Sequence, residues 1–181
     1  MFITTRTEPV STPPSLKVTL QNPLTLEEES LDMIIHFDLH MLGCGPLGKF
    51  DFRKGYLYST KDFKNILHSW NKAAIKHHFH VASTMSNHDQ PRAVSRFGDD
   101  HTYRFESAKA LFAINFFNVG SPFIYQGEEI GMTNIKLDVE DWKDFEAIND
   151  YEVLQTMMHL PKGIAKRVIQ KMTRDQARTP M

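Results

Sequence analysis

The chain has 181 residues, of which 41% are hydrophobic and 24% charged, and its formal net charge is −1. These values are typical of one compact globular domain, and the near-neutral charge excludes the broad basic field that holds a phosphate backbone. No apolar run approaches the roughly 20 residues needed to cross a bilayer. The composition therefore predicts neither a nucleic acid nor a membrane as a partner.

The beginning of the chain predicts little regular structure. Residues 1–30 are rich in Thr, Ser and Pro, and their prolines are spaced so that no long helix can form. The residues after Met1 lack the apolar core of a secretory signal, and Cys44, as the single cysteine, cannot form an intramolecular disulfide. We therefore expect a poorly structured region at 1–30, a main domain at 31–181 and a cytoplasmic location.

Strand and helix signals alternate through the main domain. Short apolar runs predict buried strands at residues 31–38, 79–84 and 122–125. Helical spacing or capping signals predict helices at 59–74, 103–118, 140–158 and 161–173. This order is typical of repeated β-α units with parallel strands, and so of the α/β class. Three strands cannot close a (β/α)₈ barrel, which uses eight.

The segment that follows the second predicted strand contains the residue types used in catalysis. It reads Asn87-His88-Asp89-Gln90-Pro91-Arg92, and it brings together an amide, an imidazole, a carboxylate and a guanidinium. Polar side chains at the carboxyl ends of strands build the active site of a barrel. The same residue types also fit a helix-capping loop in which Asp89 caps and Arg92 is solvated. The residue types alone leave both interpretations open.

Longer motifs resemble a known enzyme family. Residues 87–98, NHDQPRAVSRFG, are similar to the seventh-strand motif of oligo-1,6-glucosidases, dextran glucosidases and trehalose-6-phosphate hydrolases, which are glycoside hydrolases of the alpha-amylase superfamily. Residues 120–134 resemble the eighth strand and its loop, and residues 31–37 with 45–49 resemble the sixth. The resemblance covers residues 31–181. It implies a partial TIM (β/α)₈ barrel, comprising strands six to eight and C-terminal helices.

The resemblance also implies a reaction and a set of site residues. Members of the family hydrolyse short α-glucosides with retention, using one carboxylate as nucleophile and another as general acid. By resemblance, Asp89 is the third catalytic carboxylate, which binds sugar hydroxyls at the scissile residue, while Asn87, His88 and Arg92 bind substrate. The expected partner is a small α-glucoside, and no cofactor or metal is predicted.

Part of the family's catalytic set is not found in this sequence. The nucleophile lies in an Asp-x-x-Arg-x-Asp pattern on the fourth strand, and the 181 residues contain no such pattern. Residues 2–13 resemble the fifth strand, which ends in the acid, and this makes Glu8 the candidate acid. An ungapped comparison anchored on residues 10–12 places Arg6 there instead. We therefore expect the isolated chain to be inactive.

A second hypothesis makes the chain a non-catalytic remnant or a split-protein subunit that binds sugar weakly. An incomplete parallel sheet exposes strand edges and apolar surface. Both hypotheses therefore predict a complementing N-terminal chain or self-association. The run His77-His78-Phe79-His80 has metal-binding residue types, but no further Cys or His recurs at finger spacing, and solvated histidines at a helix end are the preferred interpretation.

Overall fold

A computed structural model of the protein describes residues 33–46, 48–51 and 58–181. The candidate acid Glu8, the alternative Arg6 and the predicted poorly structured region 1–30 lie outside these residues, as do Leu31 and Asp32 of the first predicted strand. What the sequence indicates for these residues stays a prediction.

The described residues form three strands, five α-helices and two short 3-10 helices. In chain order the strands and α-helices are β1 (Met33–Ile35), α1 (Thr60–His77), β2 (His80–Thr84), α2 (Ala93–Phe97), α3 (Arg104–Phe117), β3 (Ser121–Phe123), α4 (Phe145–Thr156) and α5 (Lys162–Met172). The 3-10 helices are Val139–Asp141 and Arg174–Arg178. The predicted alternation of strands and helices is confirmed, whereas α2 and the second 3-10 helix were not predicted.

The chain divides into two compact units. The first comprises the described residues up to Thr84 together with Ile114–Phe123, and it contains a three-stranded sheet in the order β1-β2-β3. Both pairings are parallel, with Ile34 opposite Val81 and Ala82 opposite Ser121. Val81, Ala82 and Ser83 of the central strand are all buried. Burial of consecutive residues is characteristic of a parallel strand that is covered on both faces.

Helix α1 belongs to the first unit, and its sequence explains both of its ends. Ser59 caps the start by accepting a hydrogen bond from the Asp62 amide, while the Asp62 carboxylate accepts one from the Ser59 amide, which forms a capping box. His78 ends the helix with a left-handed φ of 55°. The side chains of Phe63, Ile66 and Trp70, spaced three and four apart, are buried, as the periodicity predicted.

A buried histidine lies in the core of the first unit. The His36 imidazole stacks on the Trp70 indole at 4.3 Å between ring centroids, with 8° between the planes. The Trp70 Nε1–H donates to Asp38 Oδ2 at 2.8 Å. Burial lowers the pKa of His36 from 6.5 to about 4, against the smaller opposing effect of Asp38. His36 is therefore neutral near pH 7.

The second unit comprises Met85–Ala113 and Ile124–Met181, and it contains α4 and α5. Asp144 caps α4 by accepting a hydrogen bond from the Glu146 amide at 3.2 Å. Leu154 of α4 and Ile169 of α5 are buried. The two helices therefore contribute their apolar stripes to the core of this unit.

Apolar residues at helical spacing usually pack in a core, which predicts burial for the apolar residues of α4 and the turn after it, and this interpretation is wrong for several of them. Leu154 is buried, but Phe145 and Met157 are each 75% exposed, Met158 is 43% exposed and Ile148 is 39% exposed. The least exposed positions of the helix recur at Ala147, Tyr151 and Leu154. Phe145 and Ile148 lie off that stripe, because α4 carries apolar residues around much of its circumference.

No helix among the described residues combines the length and apolar character that a membrane crossing requires.

Candidate functional site

The polar segment after β2 forms a turn that holds Asp89 at the surface of the second unit. The Asn87 side-chain oxygen accepts a hydrogen bond from the Asp89 amide at 2.8 Å, which fixes the local backbone. The Asp89 carboxylate is 46% exposed, and its Oδ2 lies 3.2 Å from Nε2 of His88, whose side chain is 68% exposed. The turn therefore presents a carboxylate and an imidazole side by side to solvent.

Two arginines from the end of the chain meet Asp89. Arg178 Nη2 donates to Asp89 Oδ1 at 3.1 Å, and its Nε donates to the His88 carbonyl at 3.1 Å. Arg174 Nη1 lies 3.7 Å from the same Oδ1. Both arginines approach one oxygen of the carboxylate, while the other oxygen faces His88.

Arg174 is shared between two carboxylates of the second unit. Its Nε lies 3.0 Å from Oδ1 of the buried Asp144, and its amide donates to Asp144 Oδ2 at 3.3 Å. Basic residues near the end of a chain ordinarily lie on the solvated face of a terminal helix, and that interpretation is wrong for Arg174, which follows α5 and pairs with Asp144.

The segment that carries these arginines is anchored by buried side chains. Thr173 caps the 3-10 helix by accepting a hydrogen bond from the Asp175 amide at 3.3 Å. Gln176 is fully buried; its oxygen accepts from the Ile135 amide at 2.8 Å, and its nitrogen donates to the carbonyls of Ile135 and Gln170. The Tyr125 hydroxyl donates to the Ala177 carbonyl at 3.1 Å. The backbone around Arg178 is therefore tightly held.

Arg92 is placed differently from the other site residues that the sequence predicted. Its side chain is among the largest fully buried ones, and residue exposure is 1%. The guanidinium donates to the carbonyls of Gln126 and Gln176 at 2.6 and 3.2 Å, and it lies 5.6 Å from the Tyr125 ring. Burial lowers the pKa of Arg92, but its usual value is so high that the group stays charged. The structure shows the Arg92 side chain bonded to the backbone at Gln126 and Gln176, and its predicted role in binding substrate remains a prediction.

The acidic pair after β3 has local partners. Glu128 accepts a hydrogen bond from the Tyr125 amide at 2.9 Å, and Glu129 accepts one from the Gly127 amide at 2.8 Å. Burial raises the pKa of Glu128, and the hydrogen bond from Tyr125 and the nearby Arg92 charge only partly offset this. Both carboxylates thus stabilise the turn that follows β3.

The described residues also bear on metal binding. Within residues 33–46, 48–51 and 58–181, no group of three or more His, Cys, Asp or Glu side chains could hold a metal ion. His78 ends α1, and His80 lies exposed at the first position of β2. The side chains gathered around Asp89 are a carboxylate, an imidazole and guanidinium groups, all suited to hydrogen bonding with hydroxyls.

Comparison with known proteins identifies the class. Residues 19–181 match the Alpha-amylase family, described as the alpha amylase catalytic domain. Because this match covers most of the chain, the chain belongs to the alpha-amylase family, as the sequence motifs predicted. The predicted α/β class is confirmed as well, since solved structures similar to this chain are TIM-barrel glycoside hydrolases.

Comparison with individual proteins shows which members of the family this chain resembles. The chain is 42% identical to the oligo-1,6-glucosidase of Parageobacillus thermoglucosidasius over 153 residues, and 36% identical to the trehalose-6-phosphate hydrolase of Bacillus subtilis over 165 residues. Among solved structures, the trehalose-6-phosphate hydrolase of Bacillus licheniformis superposes with a TM-score of 0.79 at 34% identity, over 94% of this chain.

The chain is much shorter than these relatives. The matched segment covers 83% of this chain but only 26% of the Parageobacillus protein, and the superposition covers 30% of the Bacillus licheniformis protein. The chain therefore spans about a quarter to a third of the length of its relatives. It corresponds to one part of their fold.

Proposed function

We propose that this chain is part of an α-glucosidase that hydrolyses short α-glucosides with retention, and that it provides the last three β-α units of the catalytic barrel. In that role Asp89 binds hydroxyls of the sugar at the scissile bond, assisted by His88, with Asn87 shaping the turn and Arg92 acting in substrate binding. The observation that carries the proposal is the solvent-exposed Asp89 carboxylate beside His88, in the segment that follows a buried parallel strand.

The chemistry of retaining hydrolysis gives Asp89 a defined task. As the glycosidic bond breaks, the sugar ring gains oxocarbenium character and its hydroxyl groups become better hydrogen-bond donors. A carboxylate that accepts from them binds the transition state more strongly than the ground state. Asp89 Oδ2, which lies 3.2 Å from Nε2 of the exposed His88, is the oxygen best placed to accept such a bond.

Catalysis in this proposal also needs a nucleophile and a general acid. The 181 residues contain no Asp-x-x-Arg-x-Asp pattern, so the nucleophile comes from other parts of the enzyme. Glu8 is the proposed acid, with the ungapped comparison placing Arg6 at that position as the competing assignment. We therefore propose that the isolated chain has no glucosidase activity.

A chimera tests the proposed function. The segment of the Parageobacillus oligo-1,6-glucosidase that is similar to this chain is replaced by this chain, and release of p-nitrophenol from an α-glucoside is measured. We expect activity in the chimera and none in the isolated chain. Asp89→Asn in the chimera should lower kcat/KM by about 100-fold or more, while Glu140→Gln, a change at another exposed carboxylate, should leave it unchanged.

The results separate the proposal from its alternatives. Turnover by the isolated chain would refute the missing-nucleophile argument, and an active chimera indifferent to Asp89→Asn would refute the site. The alternative is a non-catalytic subunit that binds sugar weakly or docks to a partner chain. The exposed apolar side chains, such as Phe117 at 90% exposure, favour this alternative. A chimera that folds but has no activity would support it.

A further inference from the structure

We propose that the outward face of helix α1 binds an acidic polypeptide segment. The basic face of α1 consists of Ile75 and a row of four exposed lysines, which are Lys61, Lys64, Lys72 and Lys76. Helix α1 lies in the first unit and the Asp89 turn lies in the second, so the inference does not depend on the proposed glucosidase function.

The spacing of the four lysines places them on one side of the helix. Positions 61, 64, 68, 72 and 76 follow one another at intervals of three or four residues, so their side chains form one row along the axis. The position in the middle of the row carries His68, which is also exposed. The row is about 22 Å long at a rise of about 1.5 Å per residue. Phe63, Ile66 and Trp70 lie on the opposite side of the helix and are buried, so the row faces solvent.

The positive charge of this face is not neutralised within the described residues. Helix α1 contains one acidic residue, Asp62, and its carboxylate accepts hydrogen bonds from the Ser59 amide and hydroxyl at the start of the helix. In the described part of the chain, none of the four lysines forms an ion pair with a carboxylate. The formal net charge of the whole chain is −1, so the row is a local concentration of positive charge.

Repulsion within the row distinguishes it from an ordinary solvated helix face. Like charges three or four positions apart destabilise a helix, and Lys61 with Lys64 and Lys72 with Lys76 have this spacing. A helix face that meets only solvent is typically stabilised by charges of alternating sign. A surface of opposite charge would relieve the repulsion along the basic face.

Ile75 adds an apolar contact to the basic face. Its side chain is 64% exposed, and in the sequence it lies between Lys72 and Lys76. Charge attraction steers a partner and sets its orientation, whereas burial of an exposed apolar side chain adds affinity at short range. The partner that matches both features is an acidic segment with an apolar side chain among its carboxylates.

The shape of the face favours a polypeptide over a nucleic acid or a membrane. Single strands of nucleic acid bind where aromatic side chains offer stacking surfaces, and the Phe63 and Trp70 rings of α1 are buried. A helix that binds a membrane inserts its apolar side, whereas the apolar side of α1 packs in the first unit. An acidic helix lying along α1 can present carboxylates at the same interval as the lysines, about 5–6 Å.

Fluorescence anisotropy with a synthetic acidic peptide tests this inference. The probe is a fluorescein-labelled helical peptide with glutamate at every third or fourth position and leucine between the glutamates, and the 181-residue chain is titrated into it. We expect saturable binding, and at least about tenfold weaker binding of a peptide with glutamine in place of each glutamate. Raising the NaCl concentration from about 50 to about 200 mM should weaken binding about tenfold.

Two quadruple variants separate the row from the net charge. Lys→Gln at all four positions of the row should weaken binding at least about 20-fold, because each exposed ion pair contributes up to about fivefold. The matched control makes the same change at four exposed lysines of the second unit, and it should alter the affinity less than about threefold. The control positions are Lys109, Lys136, Lys143 and Lys162.

Two further measurements separate binding from stability. Ile75→Ser should weaken binding about threefold and leave its salt dependence unchanged, because it removes apolar area and no charge. The melting temperature of the row variant should not fall, since the substitutions remove repulsion within α1.

Each outcome supports or overturns a defined claim. The inference is wrong if the glutamate peptide does not bind, or if the row variant and the control variant lose affinity equally. Equally tight binding of single-stranded DNA or phosphatidylserine vesicles, lost in the row variant, would overturn the assignment to a polypeptide. The proposed glucosidase function is unaffected by these results, because the chimera and Asp89→Asn test it separately.

Discussion

Single residues show where sequence reasoning about this site succeeded and where it failed. The residues Asn87, His88 and Asp89 could be selected from the sequence because they are contiguous and follow a strand signal. Arg174 and Arg178 could not, because they lie 85 and 89 positions after Asp89 in the sequence and periodicity carries no information about such contacts. The burial of Arg92 was equally hidden, since an arginine in a loop is ordinarily expected at the surface.

Removal of the buried guanidinium of Arg92 should lower the stability of the chain. Arg92→Met leaves the carbonyls of Gln126 and Gln176 without their donor in a region closed to water. The expected loss in the free energy of unfolding is about 3 kcal/mol, measured by urea denaturation. Arg167→Met, which removes an exposed arginine bonded within its helix, serves as the control and should cost less than about 1 kcal/mol. Equal losses for the two variants would contradict the role given to Arg92.

His36 makes stability depend on pH. Its pKa is lowered from 6.5 to about 4 in the folded chain, so between these values the unfolded chain binds more protons than the folded chain. The stabilising contribution is therefore complete above pH 6.5 and is lost as the pH falls toward 4, by about 3 kcal/mol in total. Denaturant titrations at several pH values should show this slope in the unaltered chain.

The His36 contribution is isolated by comparison with two variants. His36→Gln removes the titrating group and should flatten the slope between pH 6.5 and 4 relative to the unaltered chain. His101→Gln alters an imidazole that is 91% exposed and should leave the slope as it is. A slope that persists unchanged in His36→Gln would show that other groups produce it.

At the scale of elements, the sequence predicted helices and strands well because their signals are local. The capping box at Ser59 and Asp62 and the apolar spacing of Phe63, Ile66 and Trp70 fixed both the position and the buried face of α1. The outward face of α4 was predicted less well, because its apolar residues have weak periodicity. Which of them become buried depends on neighbours distant in sequence.

The hydrogen bonds that cap α1 should contribute modestly to the free energy of unfolding. Ser59→Ala removes the side-chain acceptor of the Asp62 amide and should lower the free energy of unfolding by about 1 kcal/mol. Asn65→Ala, at an exposed position of the same helix, should be neutral or slightly stabilising because alanine favours helix. Circular dichroism during urea unfolding measures both changes, and a harmless Ser59→Ala would show that the cap adds little.

Replacing either of two glycines by alanine should change the stability of the chain, in opposite directions. Gly120 has φ of +118°, and a Cβ there would lie 2.1 Å from the Val81 carbonyl oxygen of the neighbouring strand. Gly120→Ala should therefore destabilise the chain by about 3 kcal/mol or more. Gly163 lies in α5 with open space at its Cβ, so Gly163→Ala should stabilise by about 0.5–1 kcal/mol. Melting temperatures that move in the same direction for both would contradict these assignments.

For the whole molecule, the exposed apolar side chains predict its behaviour in isolation. Phe117 is 90% exposed and Phe116 is 45% exposed at the end of α3, and Phe123 is 41% exposed in β3. Exposed apolar clusters and unpaired strand edges recruit other chains. We expect the isolated chain to self-associate in light scattering, and Phe117→Ser to reduce the association. Tyr103→Ser, a change at an exposed aromatic that lies in the second unit, is the control.

The contact between Arg178 and Asp89 also has a consequence for how the chain folds. The two residues are 89 positions apart, and Arg92 and Gln176 are 84 apart. Contacts between such distant positions require closure of a long loop and form slowly compared with local helices. During synthesis on the ribosome, the turn at residues 87–89 therefore emerges well before its arginine partners. The site acquires its final charge arrangement only after residue 178 has left the exit tunnel.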